Sequence, residues 1–198
     1  CFKACILSEK NAMHHFKSSL AALALTGFSI VAAANPVVAS VTVTFDDPIF
    51  NGSGFDIVSI KYRIPGTADS FKTEGVAAGR FQGTATNLVN IAPSVFVDSV
   101  NDMFMYCYDI YENIDHGQSV NYTVDFNGAT ARTLDFLGAV NSVLSIGKAY
   151  SPYAWLHPTT AGEGAAIQLG IWESLYDTGW SLTTGDFRAT GLDTATRT

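Results

Sequence analysis

Val120, Tyr122, Val124 and Phe126 alternate with Asn121, Thr123 and Asp125, which sends the apolar side chains to one face of a strand and the polar ones to the other. Val41-Thr42-Val43-Thr44-Phe45 repeats that period. Phe55 to Arg63 is rich in β-formers, and Met103 to Asp109 is a further strand candidate. Turn clusters such as Asn51-Gly52-Ser53-Gly54 and Pro65-Gly66-Thr67 separate these runs. After Thr133 the period changes. Leu134, Leu137, Val140, Leu144 and Ala149, with Val143 and Ile146 beside them, recur at helical spacing and predict a helix over Leu134–Lys148, stopped before Ser151-Pro152. A second helix is expected over Ala161–Tyr176, with Glu163 favouring its first turn and Gly179 suiting its end. The tail from Trp180 reads as polar and turn-like. The pattern therefore predicts one α+β domain, with a β-sandwich-like part over about Ser40 to Phe126 and a helical portion carrying two helices.

The N-terminus does not share this patterning. From Met13, a short polar and basic stretch (His14, His15, Lys17) precedes an uncharged run from Ser18 to Ala34, followed by Asn35-Pro36-Val37-Val38-Ala39. This is the three-part layout of a secretory signal peptide, with Val37 and Ala39 as the small residues before a cut at Ser40. An uncleaved membrane anchor is the competing reading, since no charge falls between Lys17 and Asp46. Residues 1–12 read as an upstream extension. Residues 40–198 then carry eight basic and seventeen acidic side chains, a net charge of −9. That field repels phosphate and excludes nucleic acid as the expected partner. An extracytoplasmic location, secreted or at the cell surface after export across the inner membrane, is the expectation.

Export makes the cysteine count informative. Cys1 and Cys5 lie upstream of Met13, so the domain itself holds one cysteine, Cys107, in a compartment where cysteines ordinarily pair. On the Met103–Asp109 strand it shares a face with Met103 and Met105, while Phe104, Tyr106 and Tyr108 take the other. On the second helix Gln168 shares a stripe with Ile171, Trp172 and Leu175. Burying an unpaired amide costs about 1–3 kcal/mol, so Gln168 must be hydrogen-bonded there or chemically used. The residues alone leave several readings open: a cysteine packed as a small hydrophobe beside a satisfied core amide, or a thiol used for intermolecular pairing, as a nucleophile, or sealed into another covalent bond.

Tyr106-Cys107-Tyr108-Asp109, followed by Ala165-Ala166-Ile167-Gln168-Leu169-Gly170-Ile171-Trp172-Glu173, resembles the cysteine and glutamine motifs of bacterial surface thioester domains, in particular those of PEP-CTERM sorted exoproteins. Ala78-Gly79-Arg80-Phe81-Gln82-Gly83-Thr84 and the helix before Tyr150 occur at similar places in those proteins, so the likeness covers most of residues 76–188. In the Gram-positive adhesin versions threonine precedes the glutamine and alanine stands two places after it; here those positions are Ile167 and Gly170. The resemblance implies an internal thioester between Cys107 and Gln168; Tyr106, Tyr108 and Trp172 are the candidate aromatics to shield it from water, and no cofactor or metal is expected. It also implies covalent attachment to an amine or hydroxyl on a surface protein or polysaccharide. A thiolate attacking the amide expels ammonia and leaves an acyl group on a good leaving group, held from water until an outside nucleophile arrives. The Pro-Glu-Pro sorting tail of those proteins does not occur before Thr198, so a chain cut short there is expected. A non-reactive structural or binding module of the cell surface or exopolysaccharide matrix is the alternative; an enzyme is not expected.

Other chemistry is thinner. A thiol hydrolase would draw its base from His116 or His157, both in loop-like sequence without a protease motif. Asp46, Asp47 and Asp56 flank a Gly-rich loop and offer oxygens to calcium, but match no EF-hand spacing and suit turns in their own right. The sequons at Asn51 and Asn121 read as chance.

Overall fold

The computed structural model describes residues 38–51, 54–111, 113–124, 129–149, 151–193 and 196. Apart from Val38 and Ala39, the expected signal segment lies outside them, as do Asp125 and Phe126. The alternating run at Val41 becomes strand β1 (Ala39–Phe45), whose first residue, Ala39, pairs with Val124. Its apolar side chains are buried, while the alternate hydroxyls form an outward ladder: Thr42 donates to Asn121 (2.6 Å) and Thr44 bonds Ser119 (2.7 Å). The remaining strands are β2 (Asp56–Arg63), β3 (Phe71–Ala78), β4 (Phe81–Val89), β5 (Met103–Met105), β6 (Ser119–Val124) and β7 (Phe187–Thr190). All pairings are antiparallel, in one sheet of order β5-β4-β1-β6 and another of order β3-β2-β7. Helices α1 (Ala131–Leu144) and α2 (Ala161–Tyr176) complete the α+β fold.

The core has two parts. The larger joins inward residues of both sheets, among them Val43, Phe45, Ile60, Phe81 and Phe187, to Ala165, Leu169 and Trp172 of α2. The smaller joins Ile167 and Ile171 of α2 to Leu137 of α1, Trp155, Leu156 and Tyr106. Helix α2 is thus covered on opposite sides, which is why its buried residues are not confined to one stripe. It starts where the sequence predicts, and the structure adds the cap: Thr160 accepts from the Glu163 N–H (3.1 Å), and the Glu163 carboxylate accepts from the Thr159 N–H (2.6 Å) and hydroxyl (2.8 Å).

Two expectations require correction. Helix α1 ends at Leu144, short of Lys148, and its inward face is Thr133, Leu137 and Asn141; Leu134 is 53% exposed and Val143 63%. Polar residues hold the buried face because each finds a partner. Thr133 bonds the Ser174 hydroxyl (2.7 Å), and Asn141 accepts from the Trp155 N–H (3.1 Å) while donating to the Pro152 carbonyl (2.5 Å). The tail is not all turn, either. Phe187–Thr190 pairs with β2 and extends the second sheet. Glu173 and Asp177 guide it there: Glu173 accepts from the Ser181 N–H and Asp177 from the Asp186 N–H (2.8 Å each). Gly185, at φ +94°, leaves room for that carboxylate; a Cβ there would lie 1.5 Å from Asp177 Oδ2.

Candidate functional site: the Cys107–Gln168 pair

Cys107 follows β5 and is positioned through β4. Met103 pairs with Gly83, where a side chain would meet the Thr44 carbonyl at 2.4 Å, so only glycine lets β1 and β4 close here. Immediately before the paired stretch, Arg80 is buried with its guanidinium 3.7 Å from the Phe104 ring centroid. It also donates to Asn51 O (3.0 Å), Gln82 Oε1 (3.2 Å) and Leu156 O (3.5 Å), and Gln82 passes the link on to Asp46 (3.1 Å). Burial pulls the Arg80 pKa down, against the opposing charges of Asp102 and Asp98. The Ala78–Thr84 motif is therefore the clamp that fixes the strand leading to the cysteine.

Gln168 reaches Cys107 from the middle of α2. The Cys107 N–H donates to Gln168 Oε1 at 2.8 Å, and Gln168 Nε2 donates to the Cys107 carbonyl at 2.8 Å. The amide thus pairs with the backbone of a single residue in the manner of a neighbouring strand, across 61 residues of sequence. Cys107 is 2% exposed and Gln168 1%. The thiol donates to the Asp109 carbonyl at 2.9 Å. Gly170 is in contact with α1: a Cβ would stand 2.0 Å from Phe136 Cζ. That ring stacks with Trp180 (5.7 Å), over which Arg132 lies at 4.0 Å.

The three aromatics expected near the pair have different surroundings. Trp172 packs in the same cluster as Cys107, 6.1 Å from the Phe187 ring. Tyr106 lies in the other cluster, 6.0 Å from Trp155; burial pushes its hydroxyl pKa well above the ordinary value, against Arg80, and that oxygen has no hydrogen-bond partner among the described residues. Tyr108 also packs on that side, and its hydroxyl accepts from the Thr130 N–H at the start of α1 (3.0 Å).

The sequence reading missed Tyr176 and Tyr111. Tyr176 accepts from the Ile110 N–H (3.3 Å) and meets Tyr111 edge-on (5.7 Å), which in turn meets Tyr62 (5.3 Å). Burial raises the Tyr176 pKa well above its usual value, and Asp109, Tyr111 and Cys107 raise it further, so the group stays protonated. The signal was present in the spacing: residues 168, 172 and 176 fall on one helical stripe.

The other candidates do not converge. His116 accepts from the Ile49 N–H (3.2 Å), and His157 contacts Asp98 (3.1 Å). Asp46 bonds Gln82 (3.1 Å), Asp47 lies 3.6 Å from His116, and Asp56 accepts from Thr196 (3.0 Å). No group of three or more His, Cys, Asp or Glu suited to a metal ion occurs among the described residues. No family model, curated protein or solved structure matches the chain.

Proposed function

We propose that this is an exported bacterial surface or matrix domain that forms an internal thioester between Cys107 and Gln168 and uses it to attach covalently to an amine or hydroxyl on a surface protein or polysaccharide. The observation that carries the reading is the paired contact at Cys107, in which a buried carboxamide is held by the backbone of the residue that bears the thiol. In the forming step Sγ bonds to Gln168 Cδ, the Cδ–Nε2 bond breaks, and the thiol proton leaves with the amine as ammonia. The Cys107 N–H, 2.8 Å from Oε1, stands where charge develops on that oxygen. In the attachment step an outside amine or hydroxyl bonds to Cδ, the S–Cδ bond breaks, and the nucleophile's proton ends on the thiol. Export itself rests on the Met13–Ala39 layout in the sequence.

A non-reactive module is the second reading. It is favoured by the completeness of the bonding, since the amide has both a donor and an acceptor and the thiol has the Asp109 carbonyl. Intact-mass measurement separates the two. The expected result is a deficit of one ammonia, abolished by Cys107→Ala or Gln168→Ala and converted by methylamine to an N-methylamide one methylene heavier than the uncross-linked protein. A full-mass protein whose Cys107 labels in the native state would leave only the second reading.

A further inference from the structure

Strand β3 has β2 on one side and no strand on the other among the described residues. The hydrogen bonds fix which of its backbone groups are open. The Ile64 N–H donates toward β3, to Ser70 O, and the Arg63 N–H donates the opposite way, to Asp186 O (2.9 Å each). By the alternation of an antiparallel ladder, Lys72, Glu74 and Val76 turn their backbone groups to β2, and Thr73, Gly75 and Ala77 turn theirs to the free edge. The opposite edge of this sheet is treated differently: Ala189 of β7 donates to Leu182 O (2.8 Å), and Asp177 caps the Phe187 N–H (3.5 Å).

A cleft of about 590 Å³ runs beside the open edge. Glu74 to Ala77 of β3 and Asn113 to His116 line it, together with Ile49 and Phe50. A strand added to a sheet takes about 4.8 Å laterally and about 10 Å in depth, so this space holds about 12 Å of one, or about four residues at ~3.4 Å each. Four consecutive residues of β3 line it. Its carboxylates, Glu74 and Asp115, attract positive charge in a partner, although Lys72 already contacts Glu74. Val76, Ile114 and Phe50 give the alternate side chains apolar contact.

We propose that this cleft receives an extended, basic segment of a partner protein, which adds to β3 as a further strand. The proposal is independent of the chemistry at Cys107. It is tested with a fluorescein-labelled hexapeptide of alternating lysine and valine, followed by anisotropy and by amide hydrogen exchange on the full chain. Binding at least tenfold tighter than that of the matching glutamate–valine peptide is expected, with exchange slowed at Gly75 and Ala77. Gly75→Pro removes an outward N–H that the β2 ladder does not use, and is expected to weaken binding at least tenfold while leaving the thermal midpoint nearly unchanged. Asp115→Lys should reduce the preference for the lysine peptide. Equal binding of the two peptides, or unaltered exchange at Gly75 and Ala77 in the unsubstituted protein, overturns the proposal whether or not Gly75→Pro folds.

Discussion

Replacing Gln168 with glutamate changes one donor into a group whose proton depends on pH, and so reads the Cys107 contact directly. Protonated, the carboxyl repeats the amide pattern: its carbonyl accepts from the Cys107 N–H and its O–H donates to the Cys107 carbonyl. Ionised, it has no donor, and an oxygen faces a carbonyl where Nε2 now sits at 2.8 Å. Burial at 1% exposure and that repulsion both raise the carboxyl pKa in the folded protein above the unfolded value of about 4.3. A raised folded pKa means that the folded state holds the proton more tightly. The stability it contributes is full below pH ~4.3 and declines as pH rises, by about 1.4 kcal/mol per unit, until the folded pKa is reached. If that lies at or above 7, Gln168→Glu loses about 3.7 kcal/mol between pH 4.3 and 7 relative to the unsubstituted protein. Urea midpoints from pH 4 to 8, with the wild-type trend subtracted, measure it. Gln168→Ala is the control: it strips both partners from the Cys107 backbone, about 1–3 kcal/mol each, at every pH. Parallel curves for Gln168→Glu and wild type across this range would refute the paired contact.

Gly170→Ala should displace Phe136 and disturb its stack on Trp180; overpacking of about 1–3 kcal/mol outweighs the ~1 kcal/mol gain in helix propensity. A net loss is expected in thermal unfolding, with a shift in Trp180 emission, and a stabilised variant would show that the ring yields freely. Burial pushes the Glu163 carboxyl up, but hydrogen bonds from Thr159 and Thr160, with the charge of Lys148, outweigh it and hold the pKa below the ordinary value. Its contribution is therefore present above pH ~4.3 and lost as pH falls. Glu163→Gln should shrink the difference in urea midpoint between pH 6 and pH 3, and an unchanged difference would remove this carboxylate from the acid limb.

The α+β division and the span of α2 were legible because strict alternation and a long, strongly capped apolar run leave little competition between periods. Val41–Phe45, Val120–Val124 and Ala161–Tyr176 belong to that class. Helix α1 was harder, because its buried face carries Thr133 and Asn141, whose cost is removed only by Ser174, Pro152 and Trp155 from elsewhere in the fold. An apolar template instead selects Leu134 and Val143, which face outward. Phe187–Thr190 is four residues long in polar surroundings and becomes a strand because Glu173 and Asp177 deliver it to β2. The meeting of Cys107 and Gln168 was not a matter of period at all; it was anticipated from motif resemblance. Tyr176 was missed although its spacing from Gln168 and Trp172 placed it on the same side of α2.

The late arrival of β7 has a consequence for synthesis. Strand β2 is synthesised well before β7, and its bond to Asp186 joins residues 123 apart in the chain. At roughly 5–20 residues per second, that interval lasts roughly 6–25 seconds. During it the β7 side of β2 is an open template, with Ser59, Lys61 and Arg63 lacking their ladder partners. Lys61 and Arg63 lie on that stretch, and their like charge discourages a second nascent chain from pairing there before the proper strand emerges.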